Sequence, residues 1–391
     1  MTKPERAVKL IRSGEKCSNL PDGLSEEVTE QDEKVFFEVV SIELDGEQVK
    51  RVLEPSGPYP KLRQVMAVHW HPEFVPMDLI QKRIEDNFPN KTEELIIPTQ
   101  HNQIMTYGDY AGVEVDCYSR GFKQKVQLLL HFKKERVADA HILKSMLEHT
   151  FTYRSSQLFD FIRTITKPIP ERIEKAVVET GADEDLIEFV RIIVAKIEKL
   201  LDDNIDEVPR DSVKNKLLRN YFDALRPLYG DQLIARAQVY LKAVKKVVKK
   251  DFSLKYFYRT SEVLEESRAL GGCAVIPHPE QFWPILLADY DVDGVEVWNP
   301  QSRQYTEFLI HVLNEKNKHL GSSRRRMLVF MGDDCHMGEK VKSPEHQDAA
   351  KAAREIGIQP AWDDLSIKKG LIVAGMTKEE VINEYKGRLN G

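Results

Sequence analysis

The chain has 391 residues, 41% hydrophobic and 31% charged, with a formal net charge of −6 and a pI near 6.1. That balance describes one large or two ordinary globular domains and argues against a protein dominated by nucleic-acid or anionic-membrane binding. No apolar run reaches the ~20 residues of a membrane span, "MTKPERAVKLIRSGEKC" lacks the apolar core of a secretory signal, and Cys17, Cys117, Cys273 and Cys335 show no CxxC spacing, so a cytoplasmic protein without disulfides or a thiolate zinc site is expected.

Residues 1–60 open with charge and then alternate. "KVFFEVVSIELDGEQVKRVLEP" predicts two strands joined at Asp45-Gly46, a dipeptide that favours a tight hairpin turn. From residue 61 the texture changes to short apolar runs that end in polar residues: "VMAVHWH", "ELIIPTQH", "GVEVDCY", "VQLLLHF", "CAVIPHP", "GVEVWNP" and "MLVFMGDDCH". Four to seven residues rich in Val, Ile and Leu fit strands buried on both faces. Helix-like segments such as "PMDLIQKRIEDNF" and "QYTEFLIHVLNEKNK" lie between several of them. Alternating strands and helices predict an α/β fold with a parallel sheet, open or closed into a barrel, whose functional residues gather at the C-terminal strand ends. Residues 61–133 and 269–391 are assigned to that core. Residues 134–268 read as a helical insertion, in which Leu186, Ile187, Val190, Ile193, Val194, Ile197, Leu200 and Leu201 form one stripe at helical spacing.

Side chains two apart on a strand face the same way. His69 and His71 therefore project together with Trp70 turned away, and Asp334 and His336 do the same with Cys335 turned away. Other strand ends add His101, Glu114, His131 and His278. Imidazole and carboxylate donors without thiolate suit zinc, manganese or iron, whereas magnesium favours oxygen alone. His141, His149, His311, His319 and His346 lie in helix-like or polar stretches and are left out. Arg120 and Arg303 follow strand ends on the same face and are candidates for contact with a phosphate. Arg324–Arg326 precede their strand and belong at the opposite end. Lys242, Lys245, Lys246, Lys249 and Lys250 form a solvated helix face opposite Val244, Val247 and Val248.

The order of these motifs resembles the PHP (polymerase and histidinol phosphatase) family of metal-dependent phosphoesterases, in two blocks, Val65–His131 and Gly271–Glu339. An HxH strand end (His69, His71) is followed by "TQHN" with His101, then "GVEV" with Glu114 and a histidine after an apolar strand (His131). "IPHPEQ" with His278, "DGVEVWN" and the closing "GDDCH" with Asp334 and His336 complete the series. The resemblance implies a distorted (β/α)7 barrel holding two or three divalent ions through His69, His71, His101, Glu114, His131, His278, Asp334 and His336, with His278 and Asp334 also serving the chemistry. Gln100 stands where the family usually has aspartate. Glu73 and Asp78 are the nearest acidic residues after HxH, Asn102 and Asp116 are candidates to orient ligands, and Asp333 replaces a usual serine.

The implied activity is hydrolysis of a phosphoester by a metal-activated water. A phosphorylated small molecule is the expected partner, with nucleic acid as the second candidate and no membrane. Two other readings stand beside it: a regulatory or structural metal-binding module with a decayed site, and a nuclease-like activity. An amidohydrolase also opens with HxH, but its pattern ends in a lone aspartate where this chain has the pair Asp334 and His336.

Overall fold

The computed structural model describes residues 20, 21, 23–320 and 324–391; the segment read for a secretory signal, and Cys17 within it, lie outside these. The chain divides into two compact units. One comprises the residues up to Glu43 with Thr152–Ser253, the other Leu44–Phe151 with Leu254–Gly391.

The expected N-terminal hairpin is absent from the structure. Glu30–Val40 and Gly46–Leu53 are both α-helices. Each opens with a capping box: Thr29 exchanges hydrogen bonds with Asp32, and Asp45 with Gln48. Asp45-Gly46 is thus an N-cap and first helical residue, because the side chain three residues on satisfies the cap's own N–H. The alternation that suggested strands is the edge of a helical stripe, of which Val35, Phe36 and Val40 are buried.

The first helix belongs to the helical unit, whose other main helices are Tyr153–Thr166, Pro170–Thr180, Glu184–Asn204, Lys216–Ala224 and Asp231–Asp251. The insertion is therefore shorter than 134–268, since the helices His141–Phe151 and Thr260–Ala269 group with the strands. Pro170 opens its helix and Gly181, at φ 66°, closes it. The predicted stripe of Glu184–Asn204 is buried, apart from the half-buried Ile187. A largely buried ion pair sits inside this unit: Lys196 Nζ lies 2.8 Å from Asp32 Oδ2, and both side chains are almost entirely covered. Burial pushes the Asp32 carboxyl up, but Lys196 and Thr29 outweigh it and hold the group below its usual value. Lys196→Met leaves that carboxylate buried without its counter-charge. It is expected to destabilise the protein by about 3 kcal/mol, read as a lowered urea midpoint; an unchanged midpoint would show the pair to be inert.

Among its described residues the second unit carries ten strands: β1 (Gln64–Ala67), β2 (Trp70–His71), β3 (Glu93–Ile96), β4 (Met105–Tyr107), β5 (Tyr110–Ser119), β6 (Gln124–Lys133), β7 (Cys273–Ile276), β8 (Gly294–Trp298), β9 (Leu328–Met331) and β10 (Cys335–His336). β1 pairs with β3 and β2 with β10, both in parallel, and a six-stranded sheet runs β4-β5-β6-β7-β8-β9. That sheet is mixed. β7, β8 and β9 are parallel, whereas β6 is antiparallel to both β5 and β7. Further backbone bonds link the sheets: Asp334 N–H to His69 O (2.8 Å), Thr99 N–H to Trp70 O (2.8 Å), and a bridge between His101 and Glu114. A core of Val, Leu, Ile and Phe from β5–β9 packs beneath. Cys117, Cys273 and Cys335 are buried free thiols. At the opposite end from the proposed site, Arg324 pairs with Asp289 and Arg326 with Glu384 on the exposed surface. No described helix is long and apolar enough to cross a membrane.

Candidate metal centre

The two motif pairs that end "VMAVHWH" and "GDDCH" meet directly. β2 and β10 pair in a register that sets His336 beside His71 and Cys335 beside Trp70. The period of two then sends both imidazoles to one face, while Trp70 and Cys335 are fully buried on the other. The His71 and His336 rings stack at 4.2 Å, and His101 stacks on His71 at 4.5 Å. His101 arrives from the segment after β3 through its bridge to Glu114, and Glu114 points in from the middle of β5.

Seven of the eight expected ligands converge. Glu114 Oε2 lies 2.6 Å from His101 Nδ1, and Oε1 lies 3.3 Å from His278 Nε2. Asp334 Oδ1 faces three imidazoles, at 3.3 Å from His336, 3.5 Å from His71 and 3.7 Å from His69. Three overlapping groups have donor atoms within 4.8 Å of one another: His71–His101–His336, His69–His71–Asp334 and His69–Glu114–His278. His69, His71 and Glu114 are about 1% exposed, whereas the His101 and His336 side chains are 31% and 23% exposed, so the site opens on the last two.

Backbone strain is concentrated here. Five described non-glycine residues have positive φ, and four of them bear on the site: Glu73 (52°), Asn102 (53°), His278 (25°) and Asp334 (46°). Such conformations cost on the order of 1–3 kcal/mol each and persist where the surroundings over-determine them.

The donor set fits divalent ions. His69 Nε2, His71 Nδ1 and His278 Nδ1 are buried and make no hydrogen bond, an arrangement that native interiors rarely tolerate without a further partner. Nitrogen and carboxylate donors together suit zinc, manganese or iron. Burial disfavours a charge on His69, yet Glu296, Asp334 and Glu114 push its pKa up to about 10. Asp334 and Glu73 likewise overcome burial to push His336 up to about 9. His71 goes the other way, down to about 3, through burial and the neighbouring His336 and His101 charges. Glu114 and Asp334 are held well below the carboxylate range despite burial, the first by His101 and His278, the second by His336 and His71.

His131 does not join the cluster. The parallel strand expected to end in it is absent: β6 runs the other way, so its C-terminal end lies where β7 begins, and His131 pairs with Cys273 and with Gly112, two residues before Glu114 on β5. Both ring nitrogens are engaged, Nδ1 with the Tyr385 hydroxyl (2.7 Å) and Nε2 with the Val68 carbonyl (3.0 Å). Burial lowers its pKa to about 3, so the ring is neutral. Arg120 is exposed beyond the end of β5, six residues past Glu114 and roughly 20 Å along an extended chain. Arg303 flanks the centre more closely: its guanidinium lies over the Trp298 ring at 5.8 Å, two residues after Gln301, which donates to Asp334 Oδ2 at 2.9 Å.

Around the cluster stand supporting residues, of which Arg354 and Glu296 have no mark in the sequence pattern that singles them out. Arg354 donates to Asp334 Oδ2 (2.6 Å) and to its carbonyl oxygen (3.0 Å), and Glu296 accepts from His69 Nδ1. Gln100, in place of aspartate, accepts from the Glu73 N–H at 3.2 Å, and Glu73 lies 3.5 Å from His336 Nδ1. Asn102 and Asp116 bind each other (2.8 and 2.9 Å) beside His101, with Lys125 on the outer Asp116 oxygen. Asp333 turns away from the cluster to accept from the Gly357 N–H at 2.7 Å and from Gln359. Asp78 stands in the first turn of helix Met77–Asn87.

No family model matches the sequence, and no curated relative matches it. Among solved structures, the chain is similar to one from Bifidobacterium adolescentis named "putative metal-dependent phosphoesterase". The identity is 16% and the TM-score 0.39, covering 80% of this chain and 97% of that one.

Proposed function

We propose that the protein is a metal-dependent hydrolase of phosphoesters, built on a distorted seven-stranded barrel of the PHP type. The observation that carries this reading is the convergence of seven imidazole and carboxylate donors, with buried atoms that lack hydrogen bonds, into three overlapping ligand groups. The backbone bonds that link the three sheets in succession support the barrel.

His69, His71, His101, Glu114, His278, Asp334 and His336 would hold two or three divalent ions. When bound, these supply Lewis acidity, which lowers the pKa of a coordinated water towards ~7 and offsets charge on phosphoryl oxygens. The chain's own groups do the rest. Glu114 reaches toward both the His101 and the His278 side of the cluster and can hold two ligand groups in fixed relation. Asp334 is aimed by Arg354 and Gln301, which occupy its Oδ2 and leave Oδ1 to the imidazoles. Burial of His69, His71 and Glu114 excludes bulk water from the floor, while the exposed edges of His101 and His336 admit a substrate. Arg303, whose guanidinium lies over the Trp298 ring, is the candidate to meet the non-reacting part of a small phosphorylated substrate.

Hydrolysis of p-nitrophenyl phosphate and a panel of small phosphomonoesters tests this. Activity should require manganese, zinc or iron, vanish with chelator and return on reloading. It should change little between 50 and 200 mM salt, where nucleic-acid binding through several phosphates would weaken about 10³-fold or more. No hydrolysis with any of the three metals would count against the reading.

A further inference from the structure

Glu296 lies on β8, is about 1% exposed, and contacts two of the proposed ligands from behind. Its oxygens lie 3.0 and 3.2 Å from His69 Nδ1, and Oε2 accepts the backbone N–H of His278 at 2.6 Å. The first contact turns His69 Nε2 toward Glu114 and Asp334. The second fastens His278 at its left-handed φ of 25°, a conformation that an unsupported histidine would leave. Asn299 adds a longer contact to Oε1 at 3.4 Å. The neighbouring chain is shaped to admit this carboxylate. A Cβ on Gly332 would overlap Glu296 Oε1 and stand 3.1 Å from His69 Nδ1. Gly332 cannot easily withdraw, because its N–H is bonded to the Trp298 carbonyl at 2.8 Å.

These contacts are unevenly distributed over the ligand groups. His69–Glu114–His278 has two members held by Glu296, and His69–His71–Asp334 has one. His71–His101–His336 has none, and its rings are set by the β2–β10 register and by Glu73. We infer that Glu296, in the space left by Gly332, is a positioning residue that sets one ion position selectively: the His69–Glu114–His278 group depends on it, and the His71–His101–His336 group does not. The inference rests on the metal-centre reading above and adds that the positions are separable.

The test is equilibrium dialysis of the full chain against manganese, with wild type, Glu296→Gln, Gly332→Ala and His101→Gln compared. Glu296→Gln keeps the side-chain shape, and Gly332→Ala displaces the carboxylate without removing it. Thermal melts by circular dichroism establish that each variant is folded. Both should weaken one class of bound manganese by about 10–100-fold, the usual cost of removing a ligand's orienting partner, and leave another class within about twofold of wild type. His101→Gln should show the complementary loss. Proportional weakening of every class by Glu296→Gln, or no change, would overturn the inference while the metal-centre reading stood. Wild-type protein that holds no manganese would overturn both.

Discussion

Replacing Asp334 with alanine is expected to abolish phosphoester hydrolysis, by at least about 10³-fold, and also to destabilise the fold. The two effects have different origins in one side chain. Oδ1 is the atom on which His69, His71 and His336 converge, so its loss removes a donor from the middle of the cluster. Oδ2 neutralises Arg354, a guanidinium that is 8% exposed and has no other carboxylate within salt-bridge distance among the described residues. Alanine leaves that cation buried and unpaired, at a cost of about 3 kcal/mol. Asp334→Ala combined with Arg354→Met removes both charges. It should recover most of the stability, measured by urea denaturation, while hydrolysis stays lost. Recovery of activity in the double variant, or full stability in the single one, would break the assignment of the two oxygens to separate tasks.

Uptake of ions should be coupled to release of protons. In the ion-free protein His69 titrates at about 10 and His336 at about 9, and His278 is also raised, by Glu114 against the effect of burial. His69 and His336 are therefore charged at pH 7, and a ligand nitrogen must first lose its proton. Binding that displaces about two protons strengthens on the order of 100-fold per pH unit between pH 7 and 9. The stability of the ion-free protein should run the other way. A histidine whose pKa is raised on folding stabilises the native state fully below its unfolded value near 6.5, and that contribution is lost as pH rises through the folded value. Glu114 and Asp334, depressed on folding, contribute above about pH 4 and lose that contribution as the pH falls. With chelator present, Tm should thus fall between pH 6.5 and 10. With excess manganese it should hold or rise over the same range, because binding to the native state strengthens. Parallel trends in the two conditions would show that these imidazoles do not take part in binding.

The strand-end pairs were legible because a strand's period of two is a local property: HxH and DxH state their own facing, and the β2–β10 register then joins them. Strand direction is not local. Nothing in "VQLLLHF" distinguishes a parallel strand from the antiparallel β6, and that single difference sets His131 level with the start of β7, against the Val68 carbonyl, instead of at the mouth of the sheet. The N-terminal helices are hidden in the pattern for a related reason. Apolar alternation over a few residues fits either period, and the deciding signals were the caps, Thr29 with Asp32 and Asp45 with Gln48. Glu296 shows what pattern alone withholds. The string "GVEV" occurs twice, at 112–115 and 294–297, and gives a candidate ligand in Glu114 and an orienting carboxylate in Glu296. Only the fold distinguishes them, since the partner of Glu296 is a histidine 227 residues away.

The most direct test of the account is the metal content of protein purified without added metal or chelator, measured for wild type, His69→Ala, Asp334→Ala and His131→Gln. Two or three equivalents of manganese, iron or zinc in wild type, lost or sharply reduced in the first two variants and retained in His131→Gln, is the predicted result. About one equivalent or none in wild type, unchanged by the substitutions and not increased by reloading, would contradict the metal centre and with it the hydrolase.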